Sequence, residues 1–195
     1  MNGPTNMSTP VPPQPAKLVV GIILSQRRLL DNVARLLKNT YGEIDMVSPW
    51  FGFDFTEYYA SEMGSPLYRR LLVFRELVAQ EELARIKHRT NDVEHRFSRE
   101  GRRQVNLDPG VLLYERFVLA TGKNYSHRIY IGRRIYADLT LVFQNGGYQI
   151  LPWTYPDYAA EVMRAFLLQV RRKYAEDLAS YKKAIPGSDE EYKGV

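Results

Sequence analysis

The stretch "HRIYIGRRIYADLTLVFQNGGYQIL" (127–151) constrains the fold more than any other. Apolar and polar residues alternate along it, and turn residues break it twice, at Gly132 and at Asn145-Gly146-Gly147. That pattern predicts a meander of three strands. The register of its first hairpin follows from the same pattern. A two-residue loop at 132–133 would pair Ile129 with Tyr136 and His127 with Asp138, which mixes the faces. A three-residue loop at 132–134 pairs Ile131 with Ile135 and Ile129 with Ala137, leaving one face apolar. Because a slip of one residue exchanges the faces, the second register is expected. It carries an Arg128–Asp138 cross-strand pair and directs His127 toward Leu139.

Upstream, "KLVVGIILS" (17–25) is a continuous Val/Ile run and reads as a central strand covered on both faces. Ser25 is placed to cap a following helix whose Leu29, Val33, Leu36 and Leu37 share one stripe, and Gly42 to end it. "IDMVSPW" (44–50) is extended, which gives a β-α-β start with a parallel neighbour as the default. "LYRRLLVF" (67–74) reads as a strand. Leu83, Ile86, Thr90, Val93 and Phe97 form the stripe of a helix over about 79–97, with a mixed-charge outer face. "RRQVNL" (102–107) is a strand candidate ended by an Asp108-Pro109-Gly110 turn. "VLLYERFVLAT" (111–121) fits helix or strand, with the balance toward helix. Thr154 fits an N-cap, with Asp157 at the third helical position and Trp153 and Tyr158 as a staple. Val162, Phe166, Val170, Tyr174, Leu178 and Tyr181 then make a long buried stripe. The outer face of that last helix is basic: Arg164, Arg171, Arg172, Lys173, Lys182 and Lys183.

These elements predict one α+β domain over 17–183, with a mixed twisted sheet of six or seven strands and three main helices. An N-terminal β-α-β unit and a C-terminal antiparallel meander closed by a long helix make up its halves. Residues 1–16 hold five prolines and few bulky apolar side chains, so a disordered tail is expected there, and a flexible end over 184–195. The formal charge of +5 comes from 27 basic and 22 acidic residues. Interspersed signs argue against a nucleic-acid interface. Cysteine is absent, which excludes disulfides, thiolate zinc sites and a Cys nucleophile. No run of ~20 apolar residues is present for a membrane span. A cytoplasmic protein is expected.

Several segments in order carry a family resemblance. Gly52-Phe53-Asp54-Phe55-Thr56 stands where the family has Pro-Phe-Asp-Phe-Thr. "VNLDPG" (105–110), "LATGKNYSHRIYIG" (119–132), "YADLTL" (136–141) and "LPWTYPDY" (151–158) follow. Together they resemble a bacterial family of domains of unknown function, numbered 4416, across nearly all of 17–183. Some members carry the label GTP-binding protein. This sequence has no Gly-x4-Gly-Lys-Ser/Thr loop and no Gly-x-Gly-x-x-Gly series, so the usual phosphate cradles are missing. "TGKN" (121–124) has neither the order nor the Asp of a guanine-reading Asn-Lys-x-Asp.

The leading expectation is a small anionic ligand, a nucleotide among the candidates, held in a pocket at strand ends. Asp54, Asn106, Asp108, Lys123, Arg128, Tyr136 and Trp153 all fall at strand ends or turns, where ligand sites form. Lys123 and Arg128 would meet a phosphate and the rings would stack. Against this, turn chemistry accounts for Asp108 and Asn106, and Asp138 answers Arg128. A second reading is metal-assisted hydrolysis or transfer on a phosphate-bearing substrate, with Asp54, Asp108 and His127 suiting Mg²⁺ or Mn²⁺. A third is a non-catalytic partner- or RNA-binding module using the Pro-rich tail or the basic helix. A Ser126-His127-Asp108 triad is discounted, because adjacent strand residues face opposite sides. Oligomeric state is not legible.

Overall fold

Two apolar strands organise the sheet in the computed structural model, which describes residues 10–53, 59 and 62–184. β1 (Ala16–Leu24) is buried along its whole length. β4 (Tyr68–Val78) buries Leu71, Leu72, Val73 and Phe74 in the same way. Both runs need cover on two faces, and they pair antiparallel, Val19 with Val73 and Gly21 with Leu71. The β-α-β order holds, but the parallel neighbour expected beside β1 is corrected. Helix α1 (Leu30–Tyr41) leads to β2 (Ile44–Val47), but β2 pairs with the far edge of β4 and not with β1. β4 takes the place beside β1 because its apolar run has to be central.

The described strands number nine, in the order β2-β4-β1-β5-β6-β8-β7, with β3 (Phe51–Gly52) on β4 and β9 (Gly147–Ile150) on β8. Every pairing among them is antiparallel, so the sheet is not mixed. The α+β single domain with three main helices stands. One face packs Leu18, Val20, Ile22 and Leu24 against Val33 and Leu37 of α1 and Ile86 and Val93 of α2 (Leu83–Arg96). The other packs Val19, Leu71 and Val73 beneath Phe166, Val170 and Tyr174, which belong to the long closing helix.

β5 (Val105–Leu112) runs straight through Asp108-Pro109-Gly110, which is not a turn. Proline's fixed φ suits extended backbone, and β1 templates the whole segment from Val105 to Leu112. Gly110 fits because no side chain can. A Cβ there would lie 2.7 Å from Val118 O. Residues 111–121 are strand rather than helix: β5 ends, Leu113 N–H bonds Arg116 O, and β6 (Arg116–Thr121) returns.

The meander follows the expected register. β7 (Arg128–Tyr130) pairs Arg128 with Asp138 and Ile129 with Ala137 of β8 (Tyr136–Gln144), and Ile131 N–H bonds Ile135 O. Its apolar face is only half covered: Ile135 is buried, but Ile129 on the three-residue edge strand is 71% exposed.

Two caps are corrected. The Ser25 hydroxyl bonds Gln104 O instead of capping a helix. Thr154 Oγ1 donates to Thr140 O and accepts from Leu151 N–H, so Tyr155 caps the single turn α3 (Pro156–Ala159). Val162 and Tyr181 of α4 (Glu161–Ala184) are exposed, and Met163 and Leu167 fill the stripe instead.

The basic face of α4 is partly occupied. Arg171 lies 3.5 Å over the Phe143 ring and donates to Tyr114 O, Arg164 donates to Ala159 O and Tyr148 O, and Lys173 pairs with Asp177. Residues 1–9 and 185–195 lie outside the described residues. Gln14 and Pro15 are held by Gln80 and Tyr174. Among the described residues no helix is long and apolar enough to cross a membrane.

Candidate functional site

Pro109 opens the sheet. β5 and β6 pair through Leu112↔Phe117, Val111↔Val118 and Gly110↔Leu119 and no further. The next rung needs an N–H at Pro109, which proline lacks. Beyond it Leu107 has no strand partner on that side, and α2 takes over. Glu94 Oε1 accepts the Leu107 N–H at 2.6 Å, and Lys87 Nζ donates to Leu107 O at 2.7 Å. Two charged side chains, seven residues apart on one helix face, thus stand in for a strand. Both are buried, and Nζ lies 3.9 Å from Oε1. Burial raises the pKa of Glu94, with Lys87 and the Leu107 N–H opposing.

A cavity of about 670 Å³ occupies the gap. It reaches from α2 (Lys87, Glu94, His95), past Asn106 and Asp108 on β5 and Ala120–Lys123 at the end of β6, to Tyr155, Asp157 and Tyr158 on the opposite face.

A chain of charges forms its floor. Arg69, on β4, is 1% exposed. Its Nε lies 2.6 Å from Asp157 Oδ2 and its Nη1 3.5 Å from Asp108 Oδ2. Asn106 Nδ2 donates to that same Asp108 oxygen at 2.9 Å. Arg103 Nη1 bonds Asn106 Oδ1 and Glu94 Oε2, and its Nη2 bonds Glu62. Burial opposes the charge of Arg69, but Tyr158, Asp157 and Asp108 outweigh it and raise its pKa. Burial raises Asp157 against the pull of Arg69. Tyr59 and Tyr158 are pushed up by burial and further by Asp108, which keeps both as phenols. Gly21 makes room for this cluster: a Cβ there would meet Tyr158 OH at 2.8 Å and Arg69 Nη2 at 3.0 Å.

The expected site residues divide. Asn106, Asp108 and Lys123 line the cavity. Arg128 stands behind the wall with three donors engaged: Nε to Asp138 at 2.9 Å, Nη1 to Lys123 O and Nη2 to Tyr155 OH. These three bonds brace the rim of the cavity. Trp153 stacks on His127 at 4.8 Å and donates to Leu139 O, so it pairs with the imidazole and not with Tyr158 as a staple. Tyr136 meets Tyr130 edge-on. Neither Trp153 nor Tyr136 is among the lining residues. Asp54 lies outside the described residues. His127 Nε2 is committed to Asp138 Oδ2 at 3.2 Å, and among the described residues no three His, Asp or Glu side chains converge as metal ligands.

The fold and this cavity define an α+β protein with an antiparallel sheet opened between two central strands. The chain belongs to the family described as Domain of unknown function (DUF4416), whose model matches residues 14–174. Neither a curated protein nor a solved structure matches the chain.

Proposed function

We propose that the protein binds a small ligand of nucleotide size in this cavity, with an anionic group toward Lys123 and a polar ring system toward Asp108. One observation carries the reading: the sheet is held open at the expense of burying Lys87 and Glu94. Buried ion pairs stabilise no better than apolar packing of the same volume. A gap kept open with charges is accounted for by what enters it. The volume falls within the ordinary range for small-molecule sites.

The lining has four basic side chains (Arg69, Lys87, Arg103, Lys123) and four acidic ones (Glu94, Asp108, Asp138, Asp157). Bulk charge therefore selects little, and placed groups select more. Thermal-shift screening of the full chain with nucleotides, nucleosides and phosphorylated sugars tests the reading. Stabilisation that Asp108→Asn weakens is expected. A panel that leaves the midpoint unmoved removes the proposal.

A further inference from the structure

The gap has a hydrogen-bonding edge of its own. Residues of an antiparallel ladder alternate between exchanging bonds with the partner strand and turning away from it. Leu113 N–H bonds Arg116 O, and Val111 faces Val118 in the same register. Continued, that register sets Pro109 opposite Ala120 and Leu107 opposite Gly122. Pro109 offers no N–H to Ala120 O, and Leu107 has given both its groups to Glu94 and Lys87. On that continuation the carbonyl of Ala120 and, one residue past the strand end at Thr121, the N–H and C=O of Gly122 would face the gap; both residues line the cavity. On the facing strand Asp108 holds Asn106 and Arg69 with Oδ2 alone. Its Oδ1 accepts from none of the described side chains, and the side chain is 25% exposed. Tyr59 and Tyr155 flank the same space.

Resting on the cavity reading above, we infer that this is a subsite for a planar nitrogen heterocycle with a lactam or ureide edge. The ring N–H would donate to the Ala120 carbonyl, the ring C=O would accept the Gly122 N–H, and a second donor would reach Asp108 Oδ1. The edge of the ring replaces the strand that Pro109 and Leu107 turn away. A phosphate or sugar alone offers no such alternation of donor and acceptor.

Calorimetric titration of the full chain with hypoxanthine, uracil, their ring-N-methylated forms, ribose 5-phosphate and inorganic phosphate tests it. The free bases should bind, and N-methylation should weaken them about tenfold or more, the worth of one hydrogen bond with a desolvated partner. Gly122→Pro, which removes the N–H, should lose about as much affinity as N-methylation does. Equal binding of methylated and free bases, or binding of ribose 5-phosphate without either base, overturns the subsite and leaves the cavity reading standing. Failure of every probe removes both.

Discussion

Glu94 accepts the Leu107 N–H at 2.6 Å from a helix, at a place where a neighbouring strand would ordinarily supply the acceptor. Lys87 completes the substitution on the carbonyl of the same residue. This differs from an ordinary buried ion pair, because two backbone groups depend on it. Replacing a buried pair by apolar side chains is often neutral. Here Lys87→Met combined with Glu94→Met should cost about 2–6 kcal/mol, from two backbone groups left unsatisfied at about 1–3 kcal/mol each. Chemical denaturation of the double variant measures it. A neutral result would mean that Leu107 finds other partners.

Pro109→Ala restores the missing donor. The new N–H can bond Ala120 O, worth about 1 kcal/mol, while the unfolded chain gains freedom worth about 0.4–1 kcal/mol. Stability should stay nearly level. The amide at position 109 should be protected in hydrogen exchange, and any cavity ligand should bind less tightly as β6 closes on β5. Fast exchange at that amide would show that something other than proline keeps the strands apart.

The meander of 127–151 is legible in sequence because its two faces differ in polarity and a slip of one residue would exchange them. Its pattern alone specifies the Arg128–Asp138 pair. The neighbouring strands are not legible in this way. Asp-Pro-Gly carries turn chemistry locally, and only the pairing of β5 with β1 overrides it. The site was half visible. Asn106, Asp108 and Lys123 show as polar groups at element ends, whereas Lys87 and Glu94 are hidden in a helix read as an apolar stripe with charges outside. The available signal was their position, each one residue after a stripe residue, Ile86 and Val93. Arg69 had a clearer signal. Period-two alternation puts it on one face with Leu67, Leu71 and Val73, a cation among core residues that needs a buried partner. That partner, Asp157, lies too far along the chain for any local pattern to reveal it.

Arg69 and Asp157 are buried together, so breaking the pair strands a charge. Asp157→Ala should lower stability by about 3–5 kcal/mol. Asp157→Asn should cost less, because the amide still offers an oxygen to the guanidinium. Thermal denaturation of the two variants gives the order, and an equal loss in both would show that geometry rather than charge compensation matters at this position.

Gly110→Ala places a Cβ 2.7 Å from the Val118 carbonyl and 2.9 Å from the Phe117 and Leu119 side chains. The backbone atom cannot rotate away, so strain of about 1–3 kcal/mol is expected. Gly122→Ala, with open space around it, should be silent. Comparing the two melting temperatures separates the close strand contact on one side of Pro109 from the open gap on the other.

Lys17 is fully buried and pairs with Asp45 and Asp177, tying the first strand to the last helix. Burial acts to raise the pKa of Asp177, but its hydrogen bonds from Lys17 and Lys173 prevail and lower it. A carboxylate lowered in the folded state contributes stability that is complete above its unfolded pKa. That contribution fades as pH falls through the folded value. Glu94 and Asp157, both raised, act in the opposite sense: the folded protein holds their protons more tightly, so their contribution declines as pH climbs out of the ordinary carboxylate range. Melting temperature against pH should show both slopes. In Asp177→Asn the loss of stability below the ordinary carboxylate range should shrink while the decline above it persists; in Glu94→Gln the upper slope should flatten and the lower one remain. If Asp177→Asn keeps the full acid-side slope, the acid sensitivity arises elsewhere and the Lys17 pairing does not govern it.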